Sequence, residues 1–184
     1  METRAIEFRR LVLAELSQLG EIDRTERIET LYVQHGTRLE KRLGDWSSPP
    51  WDTEGVGGHS VAGQRAECER MIQAGATALG AFDGGRLVGI GIVTPHLRPG
   101  VAQLAYLYVS NGSRGRGIGM RLTDEMEQIA REFGDTSMVV SATPSTNTVD
   151  FYLGRGFEPA AEPLRELVEH EPDDAQMQKQ LELG

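Results

Sequence analysis

Apolar residues recur at two different spacings along this chain, and the spacing changes where strands give way to helices. Val101 to Val109 is rich in Val, Leu and Tyr and contains no charged residue, which predicts a buried strand. After Gly117, apolar side chains recur at helical spacing with charged residues between them, which predicts a helix of about four turns. Those apolar residues are Ile118, Leu122, Met126, Ile129 and Phe133. Gly134 follows as a stop signal, and Ser137 to Ala142 predicts a second buried strand.

The remaining segments predict further strands and helices in a mixed α/β order. Two pairs of apolar runs are each joined by a short turn, around Gly36 and around Gly84, and predict hairpins. The predicted strands are 5–9, 28–34, 38–43, 77–82, 87–94 and 175–182, and the predicted helices are 11–19 and 62–74. Residues 44–63 predict an ordered loop, because its Trp46 and Trp51 are costly to leave in water.

Composition predicts a single domain, 1–184, with a cytoplasmic location. The chain has 19 Lys and Arg against 28 Asp and Glu, and this net charge of −9 disfavours nucleic acid and anionic membranes as partners. It leaves cationic amines as plausible partners. No apolar stretch approaches the length of a membrane span, and the N-terminus lacks the apolar core of a signal peptide. A single cysteine, Cys68, and scattered histidines predict neither a disulfide framework nor a metal site.

The loop between the predicted strand 101–109 and the following helix is dense in glycine and arginine. It reads Ser-Asn-Gly-Ser-Arg-Gly-Arg-Gly-Ile-Gly from Ser110 to Gly119. Glycine allows close approach to backbone N–H groups, and the helix N-terminus adds the positive end of a dipole. The arrangement suits a phosphate or pyrophosphate, and so predicts a phosphorylated cofactor.

Two common phosphate motifs fit this loop badly. The dinucleotide fingerprint G-x-G-x-x-G fails because Leu122 stands where the third glycine is required. The P-loop fails because Ile118 and Gly119, rather than Lys and Ser or Thr, follow Gly117. No acidic ribose partner is apparent either, so a nicotinamide-dependent oxidoreductase is the least favoured interpretation.

A second group of residues follows the predicted strand 137–142. Ser145 or Thr146 can cap a short helix and Gly156 can end it. Asn147 lies at the start of this helix, and the pair Phe151-Tyr152 lies near its end.

These two segments together resemble the acyl-CoA site of the GNAT superfamily of N-acyltransferases. The first segment supplies Arg114-x-x-Gly117-x-Gly119, and the second supplies an Asn before a Phe-Tyr pair and a closing Gly-Phe. The motif match covers 104–157, with Val149 where the family usually has a small residue. The resemblance implies an α/β fold of the α+β type, with a strongly bent mixed sheet flanked by helices. It also implies a parallel strand pair that splays apart to hold acetyl-CoA.

The resemblance also implies which residues bind acetyl-CoA. Backbone groups on the first strand would pair with the pantetheine arm, loop N–H groups would hold the pyrophosphate, and Asn147 would bond the arm from the other side. The expected cofactor-binding residues are Leu107, Tyr108, Val109, Arg114, Gly115, Arg116, Gly117, Ile118, Gly119 and Asn147.

By the same resemblance, an amine attacks the thioester carbonyl while the Val109 N–H polarises it. Tyr152 stands where the family places a tyrosine general acid. A phenol pKa near 10 against a thiol pKa near 8.5 makes that proton transfer uphill by about 1.5 units, or roughly 2 kcal/mol. Tyr152 is therefore expected to act partly as a hydrogen-bond donor to the developing negative charge.

The general base and the acceptor stay open at this stage. Gln103 stands where some family members have a glutamate base, which leaves a water chain, a carboxylate from the N-terminal half, or a weakly basic acceptor. Candidate bases from that half are Glu29, Asp52, Glu54 and His59, although each is more often a solvated surface group. Residues 22–69 are expected to shape the acceptor pocket, with Trp46, Trp51 and Tyr32 as possible walls.

Two functions from different classes are compatible with these residues. The first is an acetyltransferase acting on a small-molecule or peptide amine, and a homodimer is possible because dimers are frequent in the family. The second is a non-catalytic module that keeps the acyl-CoA site to sense a ligand or serve a partner. Tyr152 and the loop favour the enzyme, whereas Gln103 mildly favours the module.

Overall fold

A computed structural model describes residues 5–182. Its strands are β1 (Glu7–Arg10), β2 (Glu26–His35), β3 (Arg38–Ser48), β4 (Thr77–Asp83), β5 (Arg86–Arg98), β6 (Val101–Val109), β7 (Ser137–Ala142), β8 (Glu158–Pro159) and β9 (Ala175–Gln180). Its α-helices are α1 (Val61–Gln73), α2 (Ile118–Glu132), α3 (Thr146–Gly154) and α4 (Arg165–His170). Two 3₁₀ helices, Leu13–Glu21 and Asn111–Ser113, complete the elements.

Seven strands form one mixed sheet in the order β1-β4-β5-β6-β7-β9-β8, and β2 pairs with β3 in a separate hairpin. Among the strands that the structure describes in this sheet, only β6 and β7 run parallel to each other. Helices cover both faces, so the expectation of a mixed α/β sheet flanked by helices is confirmed. No helix in the described part of the chain is long and apolar enough to cross a membrane.

The parallel pair separates part-way along its length. β6 and β7 are in register from Val101 opposite Ser137 only as far as Gln103 opposite Val139. Just beyond, the register between β5 and β6 shifts, so that Ala105 is an extra residue on β6. Such a bulge bends and twists its strand, which accounts for the divergence of β6 from β7. The expected splay is therefore confirmed.

Helix α2 lies against the sheet directly behind this divergence. Its buried stripe includes Ile118, Leu122 and Met126, each at most 1% exposed. Each such side chain contributes about 1.5–3 kcal/mol by burial. Glycine on β5 allows the close approach, because a Cβ on Gly91 would lie 2.8 Å from the Met126 Cε. The helix N-terminus is thereby fixed at the end of β6.

The opposite face of the sheet is covered by the first 3₁₀ helix and α1.

Most of the predicted elements are present, with differences at the N-terminal half. The predicted helix 11–19 is a 3₁₀ helix, and β3 continues to Ser48, into the stretch predicted as loop. The hairpin lengthens because β2 carries a register shift between Ile28 and Thr30 and then pairs again, with Ile28 opposite Trp46. α4 and the two-residue β8 were not predicted, because neither is long enough to show an apolar period.

Candidate functional site

The diverging part of β6 presents unpaired backbone groups toward β7. The Ser110 N–H donates to the Val88 carbonyl of β5 at 2.8 Å. Because backbone groups alternate in direction along a strand, Leu107 and Val109 turn theirs away from β5. β7 is no longer paired with β6 at this point. Within residues 5–182, the one side chain that forms a hydrogen bond to this edge is that of Arg114, whose Nε lies 3.5 Å from the Val109 carbonyl.

The loop that follows β6 presents a row of free N–H groups. Gly115 and Gly117 have φ of +74° and +76°, a left-handed conformation that favours glycine. The N–H groups of 115–120 have no acceptor within residues 5–182, and α2 has no side-chain N-cap. Such a helix end requires water or an anion as its partner. The loop therefore presents N–H donors that suit a negatively charged group.

Gly119 has no steric reason within the protein to be glycine. Its φ lies outside the left-handed region, and an added Cβ would meet the Phe151 ring at 3.5 Å, an ordinary contact. Glycine in a helix also costs about 0.5–1 kcal/mol relative to alanine. The backbone at this position is therefore open to the groove.

The charged side chains around the loop have partners that sequence reasoning missed. Arg116 pairs with Asp83 at 2.7 Å, so its side chain is directed away from the loop. Arg114 lies 3.5 Å from Glu26 of β2. The other oxygen of the Glu26 carboxylate accepts a hydrogen bond of 2.7 Å from the Asn147 amide. Glu26 therefore bridges two of the expected cofactor-binding residues.

A segment of the N-terminal half carries Glu26 across the divergent strands. At one end Asp23 binds the two residues that follow β6: its N–H donates to Ser110 Oγ at 3.0 Å, and its carbonyl accepts from the Asn111 N–H at 2.8 Å. At the other end Tyr32 donates its N–H to the Pro144 carbonyl, after β7, at 2.8 Å. Residues 23–32 thus span the gap between the two strands.

Tyr152 of α3 is nearly fully buried, at 4% exposure. The rings of Phe151 and Phe157 contact it edge-on, with centroids 5.2 and 5.3 Å away. Its hydroxyl has no hydrogen-bond partner among the described residues. Burial raises the pKa of Tyr152 well above its ordinary value, and Tyr108 and Asp174 raise it further. The phenol is therefore a weaker acid than its sequence alone suggests, which favours hydrogen-bond donation over full proton transfer.

These features lie along one open groove of about 2130 Å³. It contains Tyr152 and all of the expected cofactor-binding residues except Arg116. The sheet edge, the free N–H groups and α3 thus form one continuous surface.

Comparison with known proteins agrees with this geometry. The sequence profile of the acetyltransferase (GNAT) family matches residues 41–157, more than half of the chain. The chain belongs to the GNAT family of acetyltransferases. No curated protein sequence matches it.

Solved structures share the fold of this GNAT protein at low sequence identity. A nourseothricin acetyltransferase superposes with a TM-score of 0.72 at 15% identity, over 97% of this chain and 99% of the other. A protein described as a streptothricin acetyltransferase, from Bacillus anthracis and in complex with acetyl coenzyme A, gives 0.70 at 16% identity over 97% and 99%. The PaiA N-acetyltransferase of Thermoplasma acidophilum, in complex with coenzyme A, gives 0.63 at 20% identity over 96% and 99%.

The structure separates the four candidate bases. Glu29 projects into solvent, with its side chain 77% exposed. Asp52 accepts loop N–H groups from Gly55 and Glu54, which lower its pKa. Glu54 is itself exposed and outside the groove. His59 alone among them lines the groove, as does Gln103 at the point of divergence.

The expected aromatic walls fall in different places. Trp46 lies in the groove, 44% exposed. Trp51 is buried and packs edge-on against Tyr108, with centroids 5.3 Å apart. Tyr32 lies outside the groove, where its hydroxyl donates to Asp150 at 2.8 Å. Among residues 5–182 no three His, Cys, Asp or Glu side chains come together in a way that could hold a metal ion.

Proposed function

We propose that this protein transfers an acetyl group from acetyl-CoA to the primary amine of a small-molecule or peptide acceptor. The observation that carries the proposal is the continuity of the unpaired β6 edge with the six free N–H groups of 115–120. An extended amide-containing arm ending in a pyrophosphate matches that order of donors and acceptors. Two of the structural relatives were solved with coenzyme A or acetyl-CoA.

The residues present fit acetyl-CoA, which supplies an activated thioester. In this proposal Leu107 and Val109 pair with its pantetheine arm through their backbones, with Tyr108 between them. The N–H groups of the loop hold the pyrophosphate, and Arg114 adds charge. Arg116 contributes its backbone alone, because its side chain pairs with Asp83. Asn147 takes part once its amide leaves Glu26.

Two groups of the chain would assist acetyl transfer. The Val109 N–H faces the gap and polarises the carbonyl oxygen as negative charge develops there. The Tyr152 hydroxyl, which has no other partner in the described structure, donates a hydrogen bond to the departing sulfur. Its raised pKa keeps it protonated across the physiological range.

A second candidate is a non-catalytic acyl-CoA-binding module of the same fold. Gln103, an amide in the place of a base, favours it, as does the Glu26 carboxylate bonded to Arg114 and Asn147. The unpartnered Tyr152 hydroxyl favours the enzyme.

Release of free coenzyme A from acetyl-CoA decides between the two candidates. The acceptor panel contains amino acids, spermidine, nourseothricin and a lysine-containing peptide. We expect amine-dependent thiol release by the wild-type protein. If the protein binds acetyl-CoA but releases no coenzyme A with every amine of the panel, the result would support the module and contradict the transferase.

Tyr152→Phe tests the proposed hydrogen bond to sulfur. We expect kcat to fall by about 10²-fold, the lower end for such a group, with acetyl-CoA affinity nearly unchanged. Folding should also be preserved, since the lost hydroxyl has no partner in the described structure. Tyr32→Phe, outside the groove, is the matched control in the thiol-release assay. An unchanged kcat would remove Tyr152 from the mechanism.

Gly119→Ala should have opposite effects on the stability of the protein and on its affinity for acetyl-CoA. Alanine favours the helix by about 0.5–1 kcal/mol, so the melting temperature of the ligand-free protein should rise by a few degrees. Acetyl-CoA affinity measured by calorimetry should fall at least tenfold, because the methyl group blocks close approach to the backbone. Gly112→Ala, in the 3₁₀ helix that precedes the free N–H groups and outside the groove, controls for loss of a nearby glycine. If Gly119→Ala binds acetyl-CoA as the wild type does, the pyrophosphate does not lie against this turn.

Glu26→Gln tests whether this carboxylate opposes the polyanionic cofactor. The glutamine keeps an acceptor for Asn147 but removes a charge beside Arg114, which is worth about 1 kcal/mol at close range in water. We expect the dissociation constant of coenzyme A to fall several-fold. Glu29→Gln removes the same charge from the same strand at a solvent-exposed position, and should change nothing. Weaker binding by Glu26→Gln would instead make Glu26 a positioning residue for Asn147.

A further inference from the structure

Arg24 is a buried cation in the groove that the proposed acetyl transfer does not use. It is 7% exposed, and its guanidinium stacks on Trp51 with Cζ 4.2 Å from the ring centroid. Nε donates to the Pro49 carbonyl at 2.7 Å, and Nη1 lies 3.4 Å from His59 Nδ1. No carboxylate forms an ion pair with it within residues 5–182. A buried charge is costly unless it is paired, so a ligand anion is its natural partner.

Asp174 is a carboxylate that lines the same groove and, like Arg24, forms no ion pair within residues 5–182. It immediately precedes β9, is half-buried, and has no ion pair or side-chain hydrogen bond in the described part of the chain. Its charge acts on the phenols of Tyr108 and Tyr152. Burial, and then Glu171 and Asp173, raise the pKa of Asp174 to about 6. Such a carboxylate is poised to accept a proton near neutral pH.

Tyr108 connects the two opposite charges. Burial raises the pKa of its phenol, Arg24 lowers that pKa, and Asp174 and Glu171 raise it again. Arg24 and Asp174 line the same groove as this ring, and within residues 5–182 they form no ion pair with each other. Trp51 and Tyr106 pack on the same ring, with centroids 5.3 and 4.9 Å away. The groove thus presents a cation, an anion and an aromatic surface together.

We propose that the acceptor carries both a primary amine and a carboxylate, as an amino acid does, with Arg24 binding the carboxylate and Asp174 receiving the ammonium. This inference rests on the proposed acetyl transfer and names its acceptor class. A polyamine fits less well, because its second ammonium would lie near the buried Arg24. A lysine side chain in a protein lacks the nearby carboxylate.

Asp174 also completes the proton balance of the reaction. The ammonium loses one proton to the Asp174 carboxylate, which later releases it to solvent. The free amine forms the C–N bond, the C–S bond breaks, and the second nitrogen proton ends on the sulfur, where Tyr152 donates its hydrogen bond. The sum is ammonium plus acetyl thioester giving acetamide, thiol and one proton.

The first test compares acceptors on the wild-type protein and needs no variant. L-amino acids, their carboxamides and the corresponding decarboxylated amines are assayed by thiol release. We expect kcat/KM for the best amino acid to exceed that of its carboxamide at least tenfold. Equal values, or a preference for the decarboxylated amine, would overturn the assignment of Arg24 while leaving acetyl transfer intact.

Arg24→Gln tests whether Arg24 binds the carboxylate of the acceptor or only stabilises the position of Trp51, on which it stacks. We expect the ratio of kcat/KM between amino acid and carboxamide to approach one. A purely structural role would lower both values and leave the ratio as in the wild type, which would count against the proposal.

Asp174→Asn tests the proton acceptor at pH 7. We expect kcat/KM for the amino acid to fall about 10²-fold, with acetyl-CoA affinity unchanged. Hydroxylamine, which is already neutral at this pH, should lose much less activity as acceptor. Glu169→Gln, an exposed residue of α4, controls for the lost charge.

These experiments distinguish failure of the proposed acceptor class from failure of the proposed acetyl transfer. Equal losses with amino acid and hydroxylamine would overturn the proton transfer to Asp174. A wild-type protein that binds acetyl-CoA but acetylates no amine would overturn the acetyl transfer and, with it, this inference.

Discussion

The site depends on one break in hydrogen bonding, where β6 stops pairing with β7 after Gln103 and Val139. Unpaired backbone groups inside a sheet are unfavourable unless something else satisfies them. The bulge at Ala105 turns β6 away, and the α2 stripe packed on β5 holds the loop at its end. The same break leaves the backbones of Leu107 and Val109 directed into the gap. The fold thus provides an extended row of donors and acceptors without any special side chain.

The charges that line the groove differ from the net negative charge of the chain. The chain carries a net charge of −9, yet the loop before α2 presents six free N–H groups and Arg114. Glu26 opposes that positive field from β2, and Arg24 and Asp174 place opposite charges further along the groove. Arg24 is buried, and Glu26 and Asp174 are half-buried, where screening by salt is weak. They therefore matter more for ligand choice than the net charge does.

The sequence was sufficient for the parts of the site that are local in the chain. The bounds of β6 and β7 are those predicted, because each is a short apolar run ended by clear turn chemistry. The Ser145 cap of α3 was one of the two expected, and its hydroxyl accepts the Thr148 N–H. The glycine-rich loop was recognisable because its chemistry lies in the backbone and in adjacent residues.

The rest of the site could not be predicted, because it depends on segments distant in the chain. Glu26 lies in an alternating strand and looks like a solvated residue until residues 23–32 are seen to cross the gap. Arg24 becomes a buried cation only through its stacking on Trp51. Asp174 stood in an acidic, polar stretch, and its place in the groove depends on β9 pairing with β7. None of these residues has a local pattern that marks it.

The measurement that tests the account most directly is a calorimetric titration of the purified, cofactor-free protein with acetyl-CoA, with NAD as the control. The free N–H groups of the loop and the unpaired β6 edge predict one site per chain with micromolar affinity for acetyl-CoA and no binding of NAD. Absence of acetyl-CoA binding would mean that the divergent strands and their loop are structural features without this cofactor, and equal binding of NAD would mean that the groove does not select for it.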